Sequence, residues 1–226
     1  MFRKSWLFIL VCLLFISLFM SGCGKEDQVQ QESSNSVSSS AGDEVTAILA
    51  KCSEVKEIYF KYIVLNDETI DAEGKAWVKG NKSRNEISVD GQTIISIYDL
   101  DKEESCVYFV GEEMATLTNL DMEMTGWFQT PTNYYDDLNY EYIKIVGTET
   151  YDGHRCKVMV ISDSQGSEEG KMWVSEDYGI PLKIEIVDEE GKSTFEYKDV
   201  QVGSVSDDVF ELPQDIYITD LRTPKE

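Results

Sequence analysis

Basic residues are scarce in this 226-residue chain: 20 Lys and Arg stand against 43 Asp and Glu, a net charge of −23. Such a charge opposes nucleic acid and anionic lipid headgroups by plain electrostatics. Histidine is scarcer still. His154 is alone, follows the turn pair Asp152-Gly153, and has no nucleophile in a recognisable local motif, so it reads as an exposed turn residue rather than a catalytic base. No G-x-S-x-G elbow and no paired zinc-ligand spacing occurs. The stretch Gly166 to Met172 imitates a phosphate loop, but it is one residue short and has Met172 where Ser or Thr is required. The acids Asp99, Asp101, Glu103 and Glu104 lack the glycine and terminal glutamate of a calcium loop. These absences point away from an enzyme and away from a cofactor or metal.

Long apolar runs are also rare, and the one that occurs stands at the start. Arg3 and Lys4 precede an uncharged stretch from Trp6 to Phe19, and small Ser21 and Gly22 stand just before Cys23. The run is too short for a permanent transmembrane helix and has the layout of a signal peptide, here residues 1–22. Cys23 stands where apolar sequence gives way to "GKEDQVQQESSNSVSSSAGDE", which is a border for processing rather than for packing. "MSGC" resembles the bacterial lipobox, with Met20 at a position where leucine is usual. That resemblance implies thioether lipidation of Cys23, as with palmitate and related chains, and a protein anchored to a membrane on its extracytoplasmic side. Either a cell membrane or an outer membrane is compatible with it.

Removing Arg3 and Lys4 with the signal leaves 18 basic against 43 acidic residues, a charge of −25. Residues 23–43 then read as the lipidated cysteine and a disordered tether, because Val29, Val37 and Ala41 are the only apolar side chains after Cys23. Residues 44–217 are aromatic-rich and periodic, enough for one domain with a sizeable core, and 218–226 read as a tail. Cys52, Cys106 and Cys156 are an odd number, which leaves buried free thiols or one disulfide open.

Val45, Ile48, Leu49, Cys52 and Val55 recur at helical spacing. From Phe60 to Val64 the period changes to two, and short strand signals follow from "GKAWVKG" to "STFEYKDV", broken by Asp90-Gly91, Asp152-Gly153 and Glu190-Gly191. Nine or ten strands after one helix predict an α+β fold: a strongly curved antiparallel sheet, an unclosed β-barrel, wrapped around an N-terminal helix. Between Glu112 and Asn139 the strand signal fades, and "TPTNYYDDL" predicts a short helical lid with Thr130 as N-cap and Pro131 at its first position. Trp127, Phe128, Tyr134, Tyr135 and Leu138 are candidate lid residues; Trp77, Tyr98, Phe109 and Trp173 are candidate lining residues for a ligand cavity. Gly179 and Pro181 predict a structural turn.

The order of these pieces carries a resemblance. "GKAWVKG" followed by "DGQTIISIYD", the central "TP", "MWVSEDYGIPLKIEI" and the closing "DDVFELPQD" together resemble the LolA-like superfamily of lipoprotein carriers and outer-membrane lipoprotein-sorting proteins, over nearly all of residues 44–217. The resemblance implies a hydrophobic cavity in an unclosed barrel, and a lipid or lipoprotein ligand. The carrier's lid-holding arginine is Gly80 here, with Arg84 the nearest substitute, so its gating is not implied. Two functions follow: a membrane-anchored binder of an acyl chain, lipid or other apolar ligand, or a non-enzymatic interaction or sensor module with a filled core and an envelope protein partner.

Overall fold

The computed structural model describes residues 38–223, apart from 90, 121–129, 133, 135–137 and 189–190. The chain divides after Ser34, and everything described belongs to the second unit. Cys23, Trp127, Phe128 and Tyr135 therefore lie outside the described residues.

Helix α1 spans Ser38–Leu49 and passes into a 3-10 turn at Ala50–Glu54. It begins inside the stretch read as tether. Its apolar spacing puts Val45, Ile48, Leu49 and Cys52 on one buried stripe, as the periodicity predicts. Twelve strands follow: β1 Glu57–Asn66, β2 Thr69–Lys79, β3 Lys82–Val89, β4 Gln92–Asp99, β5 Glu104–Phe109, β6 Met114–Asn119, β7 Ile143–Tyr151, β8 His154–Ser162, β9 Glu168–Ser175, β10 Pro181–Asp188, β11 Gly191–Val202 and β12 Tyr217–Asp220.

They form one unclosed, strongly curved sheet in the order β12-β6-β5-β4-β3-β2-β1-β11-β10-β9-β8-β7. The class is α+β, but two corrections apply. The sheet is mixed, because β12 runs parallel to β6. It also has two strands that the pattern hides. β6, "MATLTN", has few strong strand formers, and β12 is four residues long, all but Tyr217 in the stretch read as a tail. The described residues around the predicted lid, Pro131, Thr132 and Tyr134, form turns and not helix. Thr130 Oγ1 lies 2.9 Å from Thr132 Oγ1.

The hairpin at Asp152-Gly153 has positive φ at both residues (46° and 81°), the geometry that an Asp-Gly pair favours. The β1–β2 turn reaches the same region with Asp67 and Glu68 (45° and 69°), which carry Cβ atoms. Asp67 is held there by tertiary bonds: its N–H donates to the Lys192 carbonyl (2.9 Å), and its Oδ1 accepts from the Lys192 N–H (3.0 Å).

The sheet carries two cores. The larger joins the helix stripe to Ile58, Phe60, Ala76, Met159, Met172, Ile184 and Tyr197. The smaller gathers Ile95, Ile97, Cys106, Tyr108 and Ala115 beneath Phe210, Leu212 and Ile216 of the C-terminal segment. Cys52, Cys106 and Cys156 are buried and form no disulfide with one another; the Cys52 thiol donates to the Thr132 carbonyl at 3.3 Å, and burial pushes the Cys156 thiol up to about 11.

Candidate functional site

Cross-strand partners point to the same side of a sheet, so the register fixes what each face carries. One row runs Phe60, Ala76, Asn85, Ser96, Val107 and Thr116 across β1 to β6. A neighbouring row runs Tyr62, Gly74, Ile87, Ile94 and Phe109. A third runs Ile58, Val78, Ser83, Tyr98, Ser105 and Thr118. No side chain in these rows is charged, although 28% of the chain is Asp, Glu, Lys or Arg. The intervening rows face the other way and include Glu57, Lys79, Lys82, Asp99 and Glu104 at one level, and Lys61, Lys75 and Glu86 at another.

Burial changes along the uncharged face. Phe60 and Ala76 are fully buried in the main core, whereas Asn85, Ile87, Ile94, Ser96 and Val107 are half-buried and Phe109 is 39% exposed. The opposite side of the same strands is packed by the second core. Strands β3 to β6 are thus packed by apolar side chains on one face, while the other is partly exposed and mixes Ile87, Ile94, Val107 and Phe109 with neutral polar residues.

Tyrosines mark the border between filled and open. The Tyr62 ring lies across Gly74, and its hydroxyl donates to Asn85 Oδ1 at 2.9 Å. Tyr197 pairs with Tyr62 in register, and its ring meets Phe60 edge-on at 5.4 Å. Burial pushes the Tyr62 and Tyr134 hydroxyls up to about 12, and Tyr197 also well above its ordinary value. Further along the face, the hydroxyls of Ser105 and Thr118 lie 2.9 Å apart. Such a surface offers apolar contact and neutral hydrogen bonding. Among the described residues no cluster of His, Cys, Asp and Glu could hold a metal ion.

The four candidate lining residues do not gather. Tyr98 and Phe109 belong to the uncharged face. Trp77 points the opposite way, beside Tyr59 (5.2 Å), Lys75 (5.2 Å) and Arg84 (5.9 Å). Trp173 shares that side by register, with Lys171 and Lys183 at 4.5 and 4.7 Å from its ring and its Nε1 donating to Glu149 at 2.7 Å. Both indoles are engaged by cations. Of the lid candidates, Tyr134 and Leu138 pack against the main core. Arg84 donates to the Val209 carbonyl (3.0 Å) and to Glu86 (2.8 Å) on the Trp77 side, fastening the C-terminal segment. His154 lies 6.2 Å from the Tyr178 ring, half-buried.

Sequence reasoning missed Tyr62, Asn85, Ile87, Ile94 and Val107. Their signal was present: in β3 and β4 the charged residues fall only on alternate positions, Lys82, Arg84, Glu86 and Asp99, while Ser83, Asn85, Ile87, Ile94, Ser96 and Tyr98 keep the other parity free of charge.

Two grooves border this face, the first also lined by Tyr62 and Gly74 and the second by Phe109. One of about 600 Å³ borders Lys61, Glu73, Lys75, Glu86, Lys198 and Asp199, and is therefore charged. Another of about 390 Å³ lies between Ile95, Tyr108, Phe109, Pro213 and Ile216, at the rim of the C-terminal cover.

No family model matches the chain. An uncharacterized protein of Methanocaldococcus jannaschii is 29% identical over 211 residues, 90% of this chain and 57% of that protein. The chain therefore spans little more than half of that relative. In structure it is similar to an uncharacterized conserved protein of Thermus thermophilus, with a TM-score of 0.50 and 10% identity over 79% of this chain and 98% of that one. The lipoprotein LppX of Mycobacterium tuberculosis gives a TM-score of 0.46 and 12% identity, over 71% of this chain and 97% of that one. At 10% identity the likeness to the Thermus thermophilus protein is one of fold.

Proposed function

We propose that this chain, whose order of strand motifs resembles the LolA-like superfamily, is an extracytoplasmic lipoprotein that shelters an acyl chain against the uncharged face of β3 to β6. The observation that carries this reading is the sidedness of the sheet. Rows led by Phe60, Tyr62 and Ile58 run from a filled core into half-open apolar surface without one charge, while the reverse face of the same strands is covered. The partly exposed apolar strip of Ile87, Ile94, Val107 and Phe109 is of the kind that a ligand can cover. Each methylene of an acyl chain buried there adds about 0.8 kcal/mol.

In this reading the sheet curves around α1 on the Phe60 side, and the ligand continues the core beyond the reach of the helix. The alternative of a filled core describes the other half of the sheet, over β1, β2 and β7 to β11. Anchoring through Cys23 would keep the domain at the membrane that supplies its ligand, and would make it a tethered holder rather than a diffusing shuttle.

The test is native mass spectrometry of the full chain recovered from membranes, beside an Ile94→Asp variant. The wild-type protein is expected to retain a lipid-sized adduct at near one-to-one stoichiometry, and the variant to lose it while keeping its circular dichroism. An adduct-free wild type, or equal retention by a folded variant, removes the reading.

A further inference from the structure

The same face also says what kind of lipid fits. Its apolar residues are interrupted by Asn85, Ser96, Tyr98, Ser105 and Thr118, all neutral, and all able to donate or accept hydrogen bonds. None of the strands β1 to β6 presents Lys or Arg to it among the described residues. Three cations of these strands sit on the reverse side and are paired there: Lys75 to Glu86 at 2.8 Å, Arg84 to Glu86 at 2.8 Å, Lys61 to Asp199 at 2.6 Å. A phosphate or carboxylate brought onto this surface would lose water without gaining a counter-charge, and an unpaired buried ion is far costlier than an unpaired hydroxyl. The chain's net charge of −23 adds a negative field that disfavours an anion further.

We infer that the site selects an uncharged lipid, a neutral acyl ester or diacyl alcohol whose ester and hydroxyl oxygens meet the Asn85, Ser96 and Tyr98 level, and that it discriminates against anionic phospholipids and ionised fatty acids. This inference rests on the apolar-ligand reading above. It differs from that reading in a property the face could have lacked, since a single lysine at position 96 or 107 would have admitted an anion.

The experiment offers the full chain, in a nonionic detergent, an equimolar mixture of dioleoylglycerol and dioleoylphosphatidylglycerol, and identifies the bound species by mass. The neutral lipid is expected to be favoured at least tenfold. A Ser96→Lys variant is expected to reverse or erase that preference; if it does not fold, Thr116→Lys, nearer the exposed edge on the same row, takes its place. Equal uptake of the two lipids, or preference for the anionic one, overturns charge selection while leaving the apolar site intact. A lysine variant that folds and keeps the wild-type preference overturns it as well. Uptake of neither lipid removes both the selection and the reading on which it rests.

Discussion

The ring of Tyr62 lies flat over Gly74, its direct partner on the next strand, because Gly74 has no side chain to stand in the way. A Cβ built on Gly74 would sit 2.5 Å from the Tyr62 hydroxyl oxygen, 2.6 Å from its Cζ, and closer still to the backbone carbonyl of Glu86. The ring thereby spans the glycine and reaches Asn85 on β3. Gly74→Ala cannot be absorbed by a side-chain rotation alone, since one of the clashing atoms is backbone. It is expected to cost about 1 to 3 kcal/mol by urea denaturation, and Tyr62→Phe about 1 kcal/mol through the lost hydrogen bond. An unchanged midpoint for Gly74→Ala would show that the ring does not occupy that space.

The tyrosines also set an alkaline limit. Burial raises the Tyr62 and Tyr134 hydroxyls to about 12 in the folded protein, against 10.0 for an unhindered tyrosine. A folded pKa above the unfolded one stabilises the native state below the lower value, and that contribution disappears as pH rises from 10 towards 12. Each group contributes on the order of 2 kcal/mol that is lost across this window. Denaturation followed from pH 8 upwards should therefore show stability constant to about pH 10 and falling beyond it. Tyr62→Phe should flatten the fall, and tyrosinate absorbance should rise together with unfolding.

The two faces of the sheet predict different behaviour for two aromatics that look equivalent in sequence. Phe109 is exposed on the uncharged face, and Trp77 lies against Lys75 and Arg84 on the other. Phe109→Ala should change stability by less than about 0.5 kcal/mol, as surface substitutions do, while lowering lipid retention severalfold. Trp77→Phe should leave retention unchanged. Retention lost in the Trp77 variant and kept in the Phe109 variant would place the ligand on the opposite face.

How much of this was legible beforehand follows from what each residue depends on. The helix stripe from Val45 to Cys52 and ten of the strands are local periodicities, and they stand in the chain where the spacing puts them. β6 and β12 are not local. Each is short and weak alone and is made by its neighbour, β12 docking in parallel along β6 through Tyr217 N–H to the Glu113 carbonyl at 2.7 Å. Which face a strand buries is likewise set by what lands on it. Ile95 and Ile97 face the C-terminal segment, more than a hundred residues later, so a reading that grouped four strand aromatics as candidate lining residues could not separate Trp77 and Trp173 from Tyr98 and Phe109. The charge parity of β3 and β4 was the one local trace of that division.

Anchoring is tested separately from binding. Cys23→Ala should leave the protein unprocessed or release it into the soluble fraction, with the mass of the acyl groups missing. A variant that still partitions into detergent with the wild-type mass would remove Cys23 as the anchor.

The last prediction concerns the turn between β9 and β10. Gly179 has φ +68°, a region that residues with a Cβ rarely adopt, and its N–H donates to the Ser175 carbonyl at 2.9 Å. The surroundings are tighter than the dihedral alone requires: a Cβ here would press on the backbone carbonyl of Ile48, 3.0 Å from the Cys52 amide and 3.1 Å from Lys51 Cβ. The end of α1 therefore docks directly on the bare face of this glycine. Gly179→Val must both strain the turn and push the helix end away, so the loss should exceed a simple positive-φ penalty and reach about 3 kcal/mol or more. Gly179→Ala should cost less but act in the same place. Hydrogen exchange should then show faster opening of α1 and the 3-10 turn before β9 or β10, because the helix end meets the new side chain directly. The uncharged face of β3 to β6 should keep its lipid in the fraction that remains folded. Loss of binding in a fully stable Gly179→Ala protein would instead make this turn part of the site.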